Sequence, residues 1–161
     1  WLKTNTPEGS VIATWWDYGY WIETIAQRPT IIDGSTQTPY PIMTMGKIMM
    51  SPQNVSLPLL NKYGADYILV FNTFSPNDPT QSWPYGLNAR WVPMAEIAGI
   101  DVKPFVGQDA QGNYGYTNKF WNTTFAKLSY PSSNPLDGPN SHFKIAFESN
   151  YKWVLIYKIE P

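Results

Sequence analysis

Val11-Ile-Ala-Thr-Trp-Trp-Asp-Tyr-Gly-Tyr-Trp21 is the stretch on which the reading of this chain turns. Its first four residues are apolar or β-branched and suit a short buried strand. The next seven hold three Trp, two Tyr, one Asp and one Gly. Gly19 permits a tight turn here, and residues 20–27 have helical character. Arg28 precedes Pro29, which ends a helix. Residues 30–33 (TIID) read as a second buried strand. Strand, helix, strand at this spacing predicts a βαβ unit with parallel strands.

Further along, 42–50 (IMTMGKIMM) carries apolar residues at helical spacing, and Pro52 opens another helix closed by Gly64. Residues 66–71 (DYILVF) form the clearest buried strand. The segment 72–86 is rich in Pro, Asn and Ser and reads as a loop draped over a site. Residues 87–99 predict a helix kinked at Pro93, and 107–115 a turn-rich connection. A helix is expected over 116–128, with Phe120, Phe125 and Leu128 inward. Residues 143–148 and 153–159 alternate in hydrophobicity around Ser149-Asn150 and predict a β-hairpin. The expectation is mixed α/β: a compact single domain, 1–161, with a short, partly parallel sheet, several helices (one kinked) and a C-terminal β-hairpin.

Composition narrows the function. Eleven Lys and Arg balance twelve Asp and Glu, which argues against a nucleic-acid or anionic-membrane partner. Aromatics reach 16% against 14% charged residues, a balance suited to binding sugars or peptides or to docking on something larger. The absence of cysteine excludes disulfides and thiolate metal sites. No apolar run approaches the roughly 18 residues of a membrane span, and no signal peptide is visible. A chain opening at Trp1 without Met reads as a processed form or a fragment.

Catalytic constellations are thin. His142 is the single histidine and lies in a Pro/Asn/Ser loop, where it reads as a surface residue. No nucleophile motif, phosphate-loop pattern or metal-type carboxylate spacing accompanies it. The Trp-Trp-Asp group is different. An indole N–H only donates and a carboxylate only accepts. A hydroxyl has one hydrogen to give and two lone pairs to fill. Asp17 can take that hydrogen while Trp15 and Trp16 supply the lone pairs, and such a pocket rejects an analogue without the hydroxyl. The same residues also fit a plainer arrangement: Trp side chains in the core, and Asp17 capping a helix that starts at Tyr18 or Gly19.

WWDYG followed by a helix, then by a strand ending in Asp-Gly-Ser-Thr, resembles the catalytic subunit of oligosaccharyltransferase. The stretches TIIDGSTQTPYPIMTMGKIMMSP, YGADYILV and YKWVLIYKIE extend the resemblance over nearly the whole chain. It implies the C-terminal globular domain of that subunit, in the short archaeal type, with an N-terminal transmembrane domain absent from this chain. By resemblance, Trp15, Trp16 and Asp17 bind the +2 hydroxyl of an Asn-X-Ser/Thr acceptor polypeptide, while Tyr18 and Gly19 shape the turn.

The family's second motif, Asp-x-x-Lys-x-x-x-Met/Ile, is best matched by Leu87-Asn-Ala-Arg90-Trp-Val-Pro-Met94. Leu87 stands where the motif has Asp. Arg90 would replace the Lys, contacting a carbonyl or serving as an ordinary surface cation, and Met94 would touch a Thr methyl. The donor is expected to be a dolichyl-linked oligosaccharide. The divalent metal, Mn or Mg, is expected on ligands in the membrane domain, and the location is the extracytoplasmic face of the membrane. Two readings of another class stand beside this one: a carbohydrate-binding module and a purely structural platform. The chain itself holds sequons at Asn54-Val-Ser56 and Asn122-Thr-Thr124, possible glycosylation sites.

Overall fold

The computed structural model describes residues 1–71, 91–112, 114–130 and 141–160. A short helix α1 (Leu2–Asn5) leads into strand β1 (Val11–Ala13) and helix α2 (Trp16–Trp21). α2 widens without a break into a π-helical turn, Ile22–Ala26, which ends at Gln27 in the left-handed region. Helices α3 (Pro39–Met50) and α4 (Gln53–Lys62) then lead into β2 (Ala65–Phe71). Helix α5 (Trp91–Ile97), the hairpin β3 (Val106–Gln108) and β4 (Tyr114–Tyr116), and the helices α6 (Asn118–Trp121) and α7 (Thr124–Ser129) follow. Strands β5 (Phe143–Glu148) and β6 (Val154–Ile159) close the chain.

The main sheet has the order β1-β2-β6-β5, with β1 parallel to β2 and the other pairs antiparallel. β2 is central and buried on both faces. Ile68 and Val70 join the larger core, with Met45, Ile48 and Met49 of α3, Trp91 and Met94 of α5, and Phe125 and Leu128 of α7. Tyr67 and Leu69 face the other way, onto Leu2, Ile12, Ile22 and Ile156. The alternation follows from the two-residue period of a strand. Ile22, just after α2, joins this second cluster, whereas Trp15 at the start of α2 belongs to the larger one and Tyr18 packs against both.

The mixed α/β class and the C-terminal strand pair are as the sequence predicts; several elements differ. Residues 30–33 do not form a strand. Thr30 makes one parallel bridge to Ile12, and the chain then bends as Asp33 Oδ1 accepts from the Ser35 amide and hydroxyl at 3.0 and 2.9 Å. The parallel neighbour of β1 in the sheet is therefore β2, beyond α3 and α4. The helix expected over 20–27 begins earlier, at Trp16, and becomes π-helical at Ile22. The helix expected from Ile42 begins at Pro39, whose fixed φ suits a first helical position.

The single helix expected over 116–128 is interrupted by Thr123. Its hydroxyl accepts from the Ala126 amide at 3.1 Å and starts α7 afresh. Phe120, Phe125 and Leu128 are buried all the same. The connection expected over 107–115 contains the β3–β4 hairpin. In α5, Pro93 is the third residue described, and the stretch 87–90 needed to judge a kink lies outside the described residues, as does the loop expected over 72–86.

α3 and α5 pack unusually close because Gly46 presents bare backbone. A Cβ there would collide with the Met94 carbonyl and lie 3.2 Å from Ala98 Cβ. Gly46→Ala must push the two helices apart, and is expected to destabilise the fold by about 1–3 kcal/mol. A urea titration measures this as a lowered midpoint at unchanged slope.

Candidate functional site

The WWDYGYW stretch is sorted by helical geometry. Trp15, Tyr18, Gly19 and Ile22 share the inner face at i, i+3, i+4 and i+7. Trp15 is 5% exposed. Tyr18 tilts against Phe71 with centroids 5.2 Å apart. Trp16 (37% exposed), Asp17, Tyr20 (59%) and Trp21 (64%) form the outer face. Trp15 is the extended N-cap residue, so Asp17 lies inside the first turn of α2 rather than capping a helix from Tyr18 or Gly19. A carboxylate there complements the positive end of the helix.

Gly19 fixes this rotation, and it does so from within the helix rather than in a turn. A Cβ on it would meet the Ile32 carbonyl and lie 2.6 Å from the Asp33 Cα. Only a bare backbone can come this close. Asp33 is itself held in place by its loop. Its carboxyl lies below the usual range, chiefly through the Ser35 hydroxyl, with burial opposing and Thr36 adding a further hydrogen bond.

Trp15, Tyr18, Met49, Phe71, Met94 and Phe125 line a small hollow beside the start of α2. The structure thus brings Trp15 and Met94 together, although 79 positions separate them in sequence. Met94 is buried on the inner face of α5. Trp16 and Asp17 remain at the surface, one and two residues past Trp15. Arg90 lies outside the described residues. Asn54 and Asn122 are both exposed and far along the chain from α2.

Sequence reasoning did not single out Arg28. The side chain is 5% exposed and bonded entirely to neutral acceptors. Its Nε donates to Thr6 Oγ1 at 2.9 Å. One terminal nitrogen donates to the Gln27 carbonyl at 2.9 Å, and the other to the Thr6 and Lys3 carbonyls at 2.7 and 3.0 Å. Arg28 ties the end of the π-helical turn to α1. The planar fork of five N–H groups makes this possible. Its place after a helix and before Pro29 was visible; its burial depends on Thr6, 22 residues away.

Among the described residues, no group of three or more His, Cys, Asp or Glu could hold a metal ion. Nor is any helix there long and apolar enough to cross a membrane. His142 is half-buried, with Nδ1 3.0 Å from the Glu160 carbonyl. The described part of the chain offers an aromatic and carboxylate surface beside an apolar hollow.

Residues 8–68 match the STT3/PglB/AglB core domain, whose span includes the whole of α2 and its Gly19 contact. Over 70 residues the chain is 44% identical to the Schizosaccharomyces pombe dolichyl-diphosphooligosaccharide–protein glycosyltransferase subunit stt3, covering 44% of this chain and 9% of that protein. The fold superposes on the C-terminal globular domain of an oligosaccharyltransferase from Archaeoglobus fulgidus with a TM-score of 0.66, at 18% identity, covering 99% of this chain and 92% of the other. An Archaeoglobus fulgidus oligosaccharyltransferase, tethered to an acceptor peptide with an NVT sequon, superposes with a TM-score of 0.60 at 18% identity, over 89% of this chain and 19% of that one. Residues 8–68 are thus similar to the STT3/PglB/AglB core domain, and the chain has the fold of the C-terminal globular domain of the archaeal enzyme. Its curated relatives include oligosaccharyltransferase subunits, and the matched region spans about a tenth of the length of the two yeast subunits.

Arg28→Lys keeps a positive charge but cannot reach all of these acceptors from one ammonium. The carbonyls left buried without donors are expected to lower stability by about 2–4 kcal/mol, read as a lowered denaturant midpoint.

Proposed function

We propose that this chain is the acceptor-recognition domain of an oligosaccharyltransferase, the enzyme class that transfers a lipid-linked oligosaccharide to Asn in Asn-X-Ser/Thr. The observation that carries this reading is the division of the Trp-Trp-Asp group. Trp16 and Asp17 stand at the surface where α2 begins, and Trp15 stands beside Met94 in the adjoining hollow. The core-domain match over 8–68 supports it.

In this reading an acceptor strand lies across the start of α2. The +2 hydroxyl gives its hydrogen to Asp17, and indole N–H groups of Trp15 and Trp16 point at its lone pairs. A Thr methyl enters the apolar side of the site, at Met94. Arg90, four positions before Met94 in the sequence, is assigned the flanking carbonyl contact. None of these groups makes or breaks the glycosidic bond. They hold the Asn amide in register two residues away, so that remote binding energy orients the reacting nitrogen.

The full protein is proposed to carry a transmembrane domain before this single domain of residues 1–161. That domain would bind the dolichyl phosphate or diphosphate donor and a divalent metal, Mn or Mg, with the present chain on the extracytoplasmic side. A divalent ion would supply Lewis-acid polarisation, and its ligands lie beyond this chain.

Asp17→Ala in the full enzyme removes a hydrogen bond to a charged group, about 1.5–3 kcal/mol. Glycosylation of an Asn-X-Thr peptide should fall by about ten- to a hundredfold; near-normal turnover would refute the role. Met94→Ala tests the other side of the site. Loss of contact with one methyl, about 0.8 kcal/mol, should reduce the preference for Thr over Ser acceptors by about three- to fourfold, with Ser peptides little changed.

A further inference from the structure

The chain's own two sequons share one structural feature. Asn54 and Asn122 are exposed, whereas the hydroxyl residue of each sequon, Ser56 and Thr124, is buried to within 1% of complete. The two hydroxyls meet each other. Thr124 Oγ1 lies 2.9 Å from Ser56 Oγ and 3.0 Å from the Ser51 carbonyl, between which its one hydrogen is shared. Ser56 Oγ donates to the Ile48 carbonyl at 2.6 Å. The Thr124 amide also donates to Ser51, at 2.8 Å. These bonds fasten α4 and α7 to the end of α3, and they form only once residues 68 apart in sequence have been brought together.

We propose that Asn54 and Asn122 are glycan attachment sites that can be filled only before the domain folds. The proposal rests on the acceptor rule of the reading above, that a transferase of this class grips the hydroxyl two residues past the Asn. It does not rest on this chain's own activity. In the unfolded chain Ser56 and Thr124 are available to such a pocket. In the folded chain both hydroxyls are buried and their hydrogens are committed to each other and to the end of α3, and no pocket can reach them without undocking α4 or α7.

The folded state nevertheless accommodates the product. The reaction joins Asn Nδ2 to the anomeric carbon of a polyprenyl-phosphate-linked oligosaccharide. The bond from that carbon to the phosphate oxygen breaks, the lipid phosphate leaves as the anion, and one amide proton passes to a base on the transferase. The amide oxygen is untouched. At Asn122 this oxygen accepts from Lys127 Nζ at 3.0 Å, a bond the glycosylated residue keeps. At Asn54 the side chain projects from the exposed first turn of α4, leaving room for a glycan. Glycosylation at both sites is thus compatible with folding, but the folded domain is no longer an acceptor.

The test uses the full chain produced in a host without N-glycosylation, and an independent oligosaccharyltransferase with its lipid-linked donor. The folded protein is compared with its own tryptic peptides 48–62 and 120–127, which contain the two sequons, and modification is followed by mass spectrometry. The same peptides are recovered from protein made in its natural host. The expected result is modification of both free peptides, a rate at least about 100-fold lower on the folded chain, and glycan on both sites in the natural material. Modification of the folded chain within about threefold of the peptides overturns the masking. Refusal of the peptides, or bare asparagines in the natural protein, overturns the attachment sites. Because the transferase is independent, none of these outcomes depends on whether Asp17 serves as an acceptor ligand.

Discussion

The meeting of Gly19 with the backbone of Ile32 and Asp33 is the constraint that organises this molecule. It leaves α2 no freedom to roll about its axis. Once that rotation is set, Trp15, Tyr18 and Ile22 must turn inward, and Trp16, Asp17, Tyr20 and Trp21 must turn outward. A helix so rich in aromatics could bury almost any of its faces by hydrophobicity alone, because Trp16 and Trp21 have as much apolar surface as Trp15. Steric exclusion at one glycine decides among them.

The sheet then supplies what α2 lacks. β2 delivers Phe71 against Tyr18, while Ile68 and Val70 pack with α3 and α5 in the core that also holds Trp15. The close approach of α5 to Gly46 of α3 brings Met94 to the same hollow as Trp15. Two glycines, on different helices, thus fix the two walls of one small space. The proposed grip on a hydroxyl and a methyl depends on both walls being stiff, since hydrogen-bond selectivity is lost when donors can follow a wrong ligand.

Much of this fold was legible in the chain. The strands at 66–71, 143–148 and 153–159 announced themselves through β-branched runs and alternation, and Gly64 and Pro52 bounded α4. Residues 30–33 misled because TIID has strand composition, yet Pro29 has no amide hydrogen and Asp33 prefers its own loop hydroxyls to a ladder. The helix expected over 116–128 misled because the apolar spacing of Phe120, Phe125 and Leu128 continues through a break that Thr123 imposes locally. In the site, the donor and acceptor chemistry of Trp-Trp-Asp was readable from residue types alone. Which indole faces inward was not, because that depends on a contact between Gly19 and residues 13 positions on. The partnership of Arg28 with Thr6 was hidden for the same reason, and the hydroxyl pair Ser56 and Thr124 likewise.

Arg28 has one further consequence. Its partners are three well-placed carbonyls and a threonine hydroxyl, with a fourth carbonyl, that of Ala26, at 3.4 Å. None of these acceptors gains or loses a proton as a carboxylate would, and none is an ion that dissolved electrolyte can shield. The joint between the first helix and the end of the aromatic segment is therefore built to be indifferent to acidity and to brine.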